Sequence, residues 1–244
     1  MYAFTSIIWQ EYVLFKRKIK VTTIASMISP LLYLIAFGWG LGGEVIVEGK
    51  SYINFIIPGV IALTTMTVSY NNTANSVSIS RLFYKSFEAF MIAPITMISY
   101  TLGKIVAGAL IGMYSAVLII ILSLFFGVGL TISPYYILII VLNCLVFSAV
   151  GFAAGIFINA HSNMAKFSSF VITPMSFLCG TFFSLNKMPG VLKGFIGCLP
   201  LTHATLGLRN SGENLMNMII HPMILVVYFL LIFWLCVMGC KRAE

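Results

Sequence analysis

The sequence predicts an all-α integral membrane protein with six transmembrane helices. Of its 244 residues, 60% are hydrophobic and only 8% are charged, whereas a soluble domain carries about 25% charged residues. So little charge cannot cover a surface that faces water, and lipid must therefore be the main solvent. Because each bilayer crossing takes about 20 residues, six crossings with their loops use the whole length as a single transmembrane domain, 1–244.

Six apolar runs are long enough to cross a bilayer. They lie near residues 22–42, 53–76, 99–127, 134–158, 164–184 and 217–240. Within them, Gly108 and Gly112 stand four residues apart, as do Gly151 and Gly155. Small residues at this spacing let helix backbones approach closely, so we expect tight packing of the third and fourth helices.

Residues 1–20 precede the first run and predict an amphipathic helix that lies on the membrane surface. An apolar stripe at helical spacing is formed by Phe4, Ile8, Tyr12, Phe15 and Ile19. The basic residues at the end of this segment would face lipid headgroups, which makes membrane lipid an expected partner. A disordered tail is the alternative, and the aromatic stripe disfavours it.

The positions of Lys and Arg predict that both termini lie in the cytoplasm. With the N-terminus inside, ten of the 14 basic residues fall in inner segments and four in outer ones. Basic residues are enriched in the cytoplasmic loops of membrane proteins, and an even number of crossings agrees with this orientation. Because these residues stand between apolar runs, the net charge of +8 does not indicate a nucleic-acid partner.

The segment 185–216 is predicted to lie outside and is too apolar for a solvated linker. Two short helices are expected, one around Leu192–Leu199 and one around Leu201–Leu208. Irregular backbone at membrane depth must be sheltered by protein. We therefore expect a re-entrant helical hairpin that caps the outer end; a pair of ordinary surface helices is the alternative.

No motif for catalysis, metal binding or nucleotide binding is evident in the sequence. Gly49-Lys50-Ser51 matches only the tail of a P-loop, whose first glycine is replaced by Glu44. The three His residues lack metal-ligand spacing, so no catalytic residue, metal or cofactor is expected in this chain. All acidic residues are predicted at or outside membrane edges, whereas an ion-coupled transporter usually has an ionisable group near mid-membrane. Energy is therefore expected to come from another polypeptide.

The predicted cytoplasmic loop 77–98 mixes charged and aromatic residues, and Pro94 ends its helical pattern. An amphipathic helix of this kind either docks into a groove on a partner protein or is anchored to its own lipid leaflet, and the residues alone leave both open. The candidate partner-binding residues are Arg81, Lys85, Phe87, Glu88, Ala89, Phe90 and Met91.

A polar stripe runs along one face of the second predicted crossing. Its members, Thr64, Thr67, Asn71 and Asn75, repeat every three or four residues and so share one helix face. Polar side chains that face lipid are costly, so this face should meet protein or a water-filled path. The stripe as a whole favours a translocation path. For any single residue, the alternative is a helix–helix hydrogen bond worth about 0.6 kcal/mol.

Two aromatic residues at the end of the fifth run are further candidate pathway residues. Phe182 and Phe183 follow each other near the predicted outer mouth. They either gate a hydrophobic exit or anchor the helix in the membrane interface.

Several short motifs occur in a fixed order between residues 58 and 203. They are Pro58-Gly59-Val60, then Glu88 and Pro94 followed by Gly103-Lys104, then Thr173-Pro174-Met175, Gly180-Thr181-Phe182-Phe183 and Leu199-Pro200-Leu201-Thr202-His203. In order and spacing they resemble the type-2 permeases of ATP-binding-cassette exporters, the group that contains the nodulation-factor and daunorubicin-type drug export permeases.

The resemblance implies a division of labour between subunits. A homodimer of permease chains would form the pathway in the cell membrane, above two ATPase subunits that bind ATP and Mg. The helix at 87–90 would be the coupling helix in a groove on the ATPase, and the N-terminal helix would contact the same partner. The cargo moved out of the cytoplasm would be an amphipathic or hydrophobic drug, lipid or lipid-linked saccharide. An ion-coupled secondary transporter and a non-transporting membrane scaffold are the alternatives.

Overall fold

A computed structural model describes residues 2–40, 45–84, 87, 90, 95–185, 188–209 and 215–242. Its architecture is helical, as the composition predicts, apart from one two-residue ladder of strands. Among the described residues, five helices are long and apolar enough to cross a membrane, or six spans if one bent helix pair is counted. The chain is therefore a multi-pass membrane protein.

The first helix, α1, runs from Tyr2 to Tyr33 and continues as a π-helix over Leu34–Trp39. The helix passes residue 20 without a break, so the segment expected as an interfacial helix (1–20) and the first expected crossing (22–42) share one continuous helix. The position of residues 1–20 on the membrane surface stays a prediction. No Pro or Gly precedes Pro30, so the sequence contains no helix breaker at the expected boundary.

Three long helices follow a tight strand turn, and their bounds agree closely with the second, third and fourth predicted crossings. Strands β1 (Ile46–Val47) and β2 (Lys50–Ser51) pair antiparallel, and the helices are α2 (Tyr52–Leu82), α3 (Met97–Phe125) and α4 (Pro134–Phe157). Every residue from Phe55 to Met66 is buried. A helix that is apolar on all sides lies at the centre of a bundle, and α2 packs against both α3 and α4.

The close packing predicted from the two glycine pairs is confirmed. A methyl group added to Gly108 on α3 would lie 1.8 Å from Thr73 Oγ1 on α2. One added to Gly151 on α4 would lie 2.5 Å from the carbonyl oxygen of Tyr70. Both distances are far inside van der Waals contact, so the close approach of α2 at these two positions requires glycine in its neighbours.

The fifth predicted crossing, 164–184, differs from the structure. It consists of α5 (His161–Phe167), a π-helix (Ser168–Ile172) and α6 (Thr173–Leu178). The proline in the first turn of α6, Pro174, has no backbone N–H, and this interrupts the regular hydrogen-bond ladder. The segment is not among the five described helices that are long and apolar enough to span.

Two short helices lie where the outer hairpin was expected, and a long helix closes the chain. They are α7 (Gly190–Gly197), α8 (Pro200–Arg209) and α9 (Leu215–Arg242). The bend between α7 and α8 is 96°, a geometry shared by a re-entrant hairpin and a broken span. The Thr202 hydroxyl donates to the carbonyl oxygen of Ile196 at 2.7 Å and fixes the bend.

Candidate functional site

The predicted polar stripe of α2 lines a single cavity. Thr64, Thr67, Asn71 and Asn75 all border a space of about 600 Å³, which we call the Thr64 chamber. α1 and α6 form its other walls, mainly with hydroxyl-bearing and aromatic side chains: Thr22, Ser26, Ser29, Tyr33, Thr173, Ser176 and Phe177. The stripe therefore faces a cavity and not the centre of the bundle.

A second cavity adjoins the first toward the Leu82 end of α2. This Ser76 chamber has a volume of about 460 Å³ and shares Thr22, Asn72, Asn75 and Ile111 with the Thr64 chamber. Its own lining adds charge, through Glu11, Lys18 and Lys104. Together the two chambers form one cleft along α1 and α2, which we call the α2 cleft.

The α5 side of the stripe also borders a cavity. Asn71 and Asn75 line a third space of about 340 Å³, opposite Ser168 and Ser169. Both asparagine side chains are exposed. Cavities on both sides explain how a membrane helix carries these two asparagines, because both amides can reach water or a ligand.

Thr64 and Thr67 of the stripe make no hydrogen bond to another helix among the described residues. The Thr67 hydroxyl donates to the carbonyl of Thr64 in its own helix, at 3.1 Å. Thr64 is only 3% exposed, yet its Oγ1 has no hydrogen-bond partner among the described residues. By contrast, Asn143 on α4 does join helices, since its Nδ2 donates to the carbonyl of Ala62 at 3.0 Å and to Thr65 Oγ1 at 2.9 Å. The Thr64 hydroxyl is therefore shielded from the cavity, and the stripe groups that water or cargo can reach are the exposed amides of Asn71 and Asn75.

The two predicted aromatic residues lie beyond the cleft lining. Phe182 packs against Tyr33 and Phe177, with ring centroids 5.1 and 5.8 Å apart, and both of these residues line the Thr64 chamber. The hydroxyl of Tyr52 donates to the Phe182 carbonyl at 2.9 Å. Phe182 thus closes an aromatic cluster at the end of the chamber, while Phe183 is half-buried beside it.

A buried ion pair that the sequence did not reveal lies in the wall of the Ser76 chamber. Lys104 Nζ on α3 is 2.5 Å from Glu11 Oε1 on α1. The Ser76 hydroxyl on α2 donates to the same carboxylate oxygen at 2.7 Å, and Lys104 donates to Ser76 at 3.0 Å. The useful sequence signal was Lys104 itself, a lone cation inside an apolar run, which needs either the membrane edge or a counter-ion.

The candidate coupling residues are only partly described. Lys85, Glu88, Ala89 and Met91 lie outside the described residues. Arg81 is bound to the end of α4, through the carbonyl of Gly155 at 3.3 Å and through the Asn159 side chain.

The two aromatic rings of the same segment pack inward. Phe87 is 4% exposed, and its ring centroid lies 5.7 Å from that of Tyr100. Phe90 is half-buried, with its centroid 5.2 Å from the same ring. The expectation that the Phe87 ring is available to a partner does not fit this burial; the ring anchors the segment to α3.

Two of the sequence motifs meet at the opposite end of α2, around Arg209. Its Nη2 donates to the carbonyl of Thr181 at 2.9 Å and its Nε to that of Phe55 at 3.1 Å. A methyl group on Gly59 would lie 2.7 Å from the Thr181 carbonyl oxygen. The glycine of Pro58-Gly59-Val60 therefore makes room for the Gly180–Phe183 motif, and Arg209 at the end of α8 joins them.

The described residues hold no cluster of three or more His, Cys, Asp or Glu side chains that could bind a metal ion. His203 and His221 do meet, with their Nδ1 atoms 3.2 Å apart. His203 Nε2 lies 2.9 Å from the carbonyl oxygen of Gly197. This pair ties α8 to α9 and to the end of α7.

The described helices form an apolar bundle around a central helix, α2, one face of which borders cavities. The profile of the ABC-2 type transporter family matches residues 2–212. The chain belongs to the ABC-2 type transporter family, and the resemblance drawn from the short motifs is confirmed.

Several named proteins are similar to this chain over most of their length. The inner membrane transport permease YadH of Escherichia coli K12 is 29% identical, covering 88% of this chain and 85% of that protein. Nodulation protein J of Rhizobium meliloti strain 1021 is 27% identical, covering 96% and 92% respectively. Nodulation protein J of Bradyrhizobium diazoefficiens is 26% identical, covering 99% and 94%.

Proposed function

We propose that this chain is the transmembrane permease subunit of an ATP-driven exporter, and that its cargo passes along the α2 cleft. The observation that carries the proposal is the placement of the four stripe residues on one cavity wall, in a chain of the ABC-2 type transporter family. The exposed amides of Asn71 and Asn75 supply hydrogen bonds to a polar group in transit.

A second copy of the chain completes the pathway in this proposal. Asn71 and Asn75 are exposed between α1 and α5. Polar groups facing lipid cost free energy, so this opening is better covered by protein. A homodimer that sets the two openings face to face gives a polar path sheltered from lipid.

Energy enters from two copies of a separate ATP-binding-cassette ATPase, which hold ATP and Mg. The segment 85–94 meets this partner on the cytoplasmic side, with Lys85, Glu88, Ala89 and Met91 in contact. Arg81, Phe87 and Phe90 instead fix the segment to the permease, because their side chains bind α4 and the ring of Tyr100. Both termini lie in the cytoplasm, and Phe182 and Phe183 border the outer exit.

The lining of the cleft favours an amphipathic cargo with a hydroxyl-rich or amide-bearing head. Ten of the 18 residues that line the Thr64 chamber are threonine, serine or asparagine, while apolar atoms form the larger part of its surface, with Tyr33 and Phe177 at one end. A lipid-linked saccharide fits this lining better than a purely hydrophobic drug, since sugar hydroxyls satisfy the polar groups. The chain itself performs no covalent chemistry in this account.

The test is purification of the chain from its native membrane, followed by identification of bound proteins. A P-loop ATPase is expected to co-purify, and its ATP hydrolysis in nanodiscs should rise with amphiphiles that carry a sugar head. Matched amphiphiles with the same tail and no sugar serve as the control. Transport by the purified chain without an ATPase would instead support the ion-coupled alternative, and absence of both activities would support a scaffold.

A further inference from the structure

The Glu11–Lys104 pair connects three helices at one point. Glu11 is 5% exposed and Lys104 is 2% exposed, so both charges are removed from bulk water. α1 contributes the carboxylate, α3 the ammonium, and α2 the bridging hydroxyl of Ser76. A buried charge that loses its partner is strongly disfavoured unless it finds water or another counter-charge.

A row of aromatic side chains connects the proposed coupling segment, residues 85–94, to this ion pair. The rings of Phe87 and Phe90 both contact Tyr100 on α3. Lys104 stands four residues after Tyr100 and therefore lies on the same helix face, with its Nζ 5.9 Å from the centre of that ring. Displacement of either phenylalanine must move the Tyr100 ring, and with it the surroundings of the ammonium.

The pair also has a second environment within reach. Glu11, Ser76 and Lys104 all line the Ser76 chamber of about 460 Å³. When the ion pair opens, both charges can turn to that polar cavity, where water replaces the lost partner. The structure holds the closed state of this junction, and the cavity beside it gives room for an open one; packed interiors switch between such states rather than deform gradually.

We propose that the Glu11–Lys104 ion pair is a latch that links the coupling segment to the width of the α2 cleft. Movement of Phe87 and Phe90 tilts Tyr100, separates Lys104 from Glu11 and frees α1 from α2 and α3 at the Ser76 chamber. Tyr100, Lys104 and Glu11 are positioning residues in this mechanism, since they act through helix positions and not on cargo. The inference rests on the proposed function, because the ATPase supplies the movement.

The experiment measures the distance between α1 and α2 by pulsed electron paramagnetic resonance. Spin labels are placed at Leu14 and Ile79, which border the Ser76 chamber on the two helices. Cys198 is replaced by Ser, because it is exposed while the other four cysteines are buried. The labelled complex with its co-purified ATPase, in phosphatidylethanolamine and phosphatidylglycerol nanodiscs, is compared without nucleotide and after trapping with ATP and vanadate.

The latch predicts a nucleotide-dependent change in this distance that is lost in Glu11→Lys and in Lys104→Glu. The double swap, which restores opposite charges, should regain it. A second pair tests the aromatic link without touching the charges: Tyr100→Leu should lose the change, whereas Tyr100→Phe, which keeps the ring, should retain it. Ser148→Ala, which removes a buried 2.7 Å bond to Thr73 on α2, is the control for general loosening and should leave the change intact.

Three outcomes are distinguishable. A full change in Tyr100→Leu and in either folded single-charge variant, with the ATPase still bound, overturns the latch. Loss of the change in Ser148→Ala as well shows a merely structural effect and also overturns it. A parent complex without bound ATPase, or without any response to nucleotide, contradicts the proposed function itself.

Discussion

The guanidinium carbon of Arg209 lies 3.6 Å from the centre of the Phe55 ring. The same side chain bonds to the carbonyls of Phe55 and Thr181, so one residue at the end of α8 fastens the start of α2 and the loop after α6. Glu48 binds the Ser184 hydroxyl near the same joint. This end of the molecule is therefore held by directional contacts, whereas the α2 cleft is open.

Arg209→Lys is expected to destabilise the protein although the charge is kept. An ammonium group cannot donate to both carbonyls and cover the ring at once. Leaving one buried carbonyl without a donor costs about 1–3 kcal/mol. The measurement is thermal unfolding in detergent by tryptophan fluorescence, with Val191→Ser, at a 91% exposed position of α7, as the control. Equal melting temperatures for Arg209→Lys and the wild type would contradict this role of Arg209.

Gly59→Ala is expected to disturb the same joint by steric conflict. The added methyl group would lie 2.7 Å from the Thr181 carbonyl oxygen, and backbone atoms cannot step aside as a flexible side chain can. Overpacking of this kind costs about 1–3 kcal/mol. In the same unfolding assay, Gly194→Ala should be neutral or slightly stabilising, because nothing lies within 4 Å of that added group and alanine favours the helix.

Asn71→Leu combined with Asn75→Leu should reduce export without reducing stability. Both side chains are exposed in the cleft, and exposed substitutions usually change stability by less than about 0.5 kcal/mol. Asn143→Leu is the matched contrast: it removes two buried bonds to α2 and should lower the melting temperature. The measurements are thermal unfolding and transport of the amphiphile that stimulates ATP hydrolysis. Unchanged transport in the double variant would show that these two asparagines do not line the transport pathway.

Phe87→Ala and Glu88→Ala should distinguish the anchoring of the segment by Phe87 from the contact of Glu88 with the ATPase. The Phe87 ring is buried against Tyr100, and truncating a buried phenylalanine costs about 3–5 kcal/mol, so this variant should unfold at lower temperature. Glu88→Ala should keep its melting temperature and lose the co-purified ATPase. Retention of the ATPase by Glu88→Ala would contradict the role given to that carboxylate.

The long apolar helices could be predicted from the sequence because hydrophobic length is a local property. The bounds of α2, α3 and α4 follow the expected runs closely. The continuity of α1 through residue 20 was not predicted, because a change from an amphipathic to an apolar pattern alters the surroundings of a helix without breaking its backbone. The early end at Leu178 was missed because the apolar run continues past it, although Gly180, two residues on, has the positive φ of 75° that commonly ends a helix.

The candidate site was predictable only where its residues lie on one helix. The stripe from Thr64 to Asn75 was visible because helical spacing places it on a single face. The Glu11–Lys104 pair was not, since its members are 93 positions apart and meet only when α1 packs on α3. Arg209 likewise shows its role only once α8 reaches the start of α2.

The contact between the coupling segment and an ATPase is the point on which the account depends, and site-specific photocrosslinking in native membranes tests it most directly. The photoreactive amino acid p-benzoylphenylalanine takes the place of Ala89, and adducts are identified by mass spectrometry. An adduct with a P-loop ATPase is expected at position 89, and none when the same amino acid replaces Val191 on α7. Adducts at position 89 with lipid alone would show that the segment touches only its own membrane, and would contradict the account.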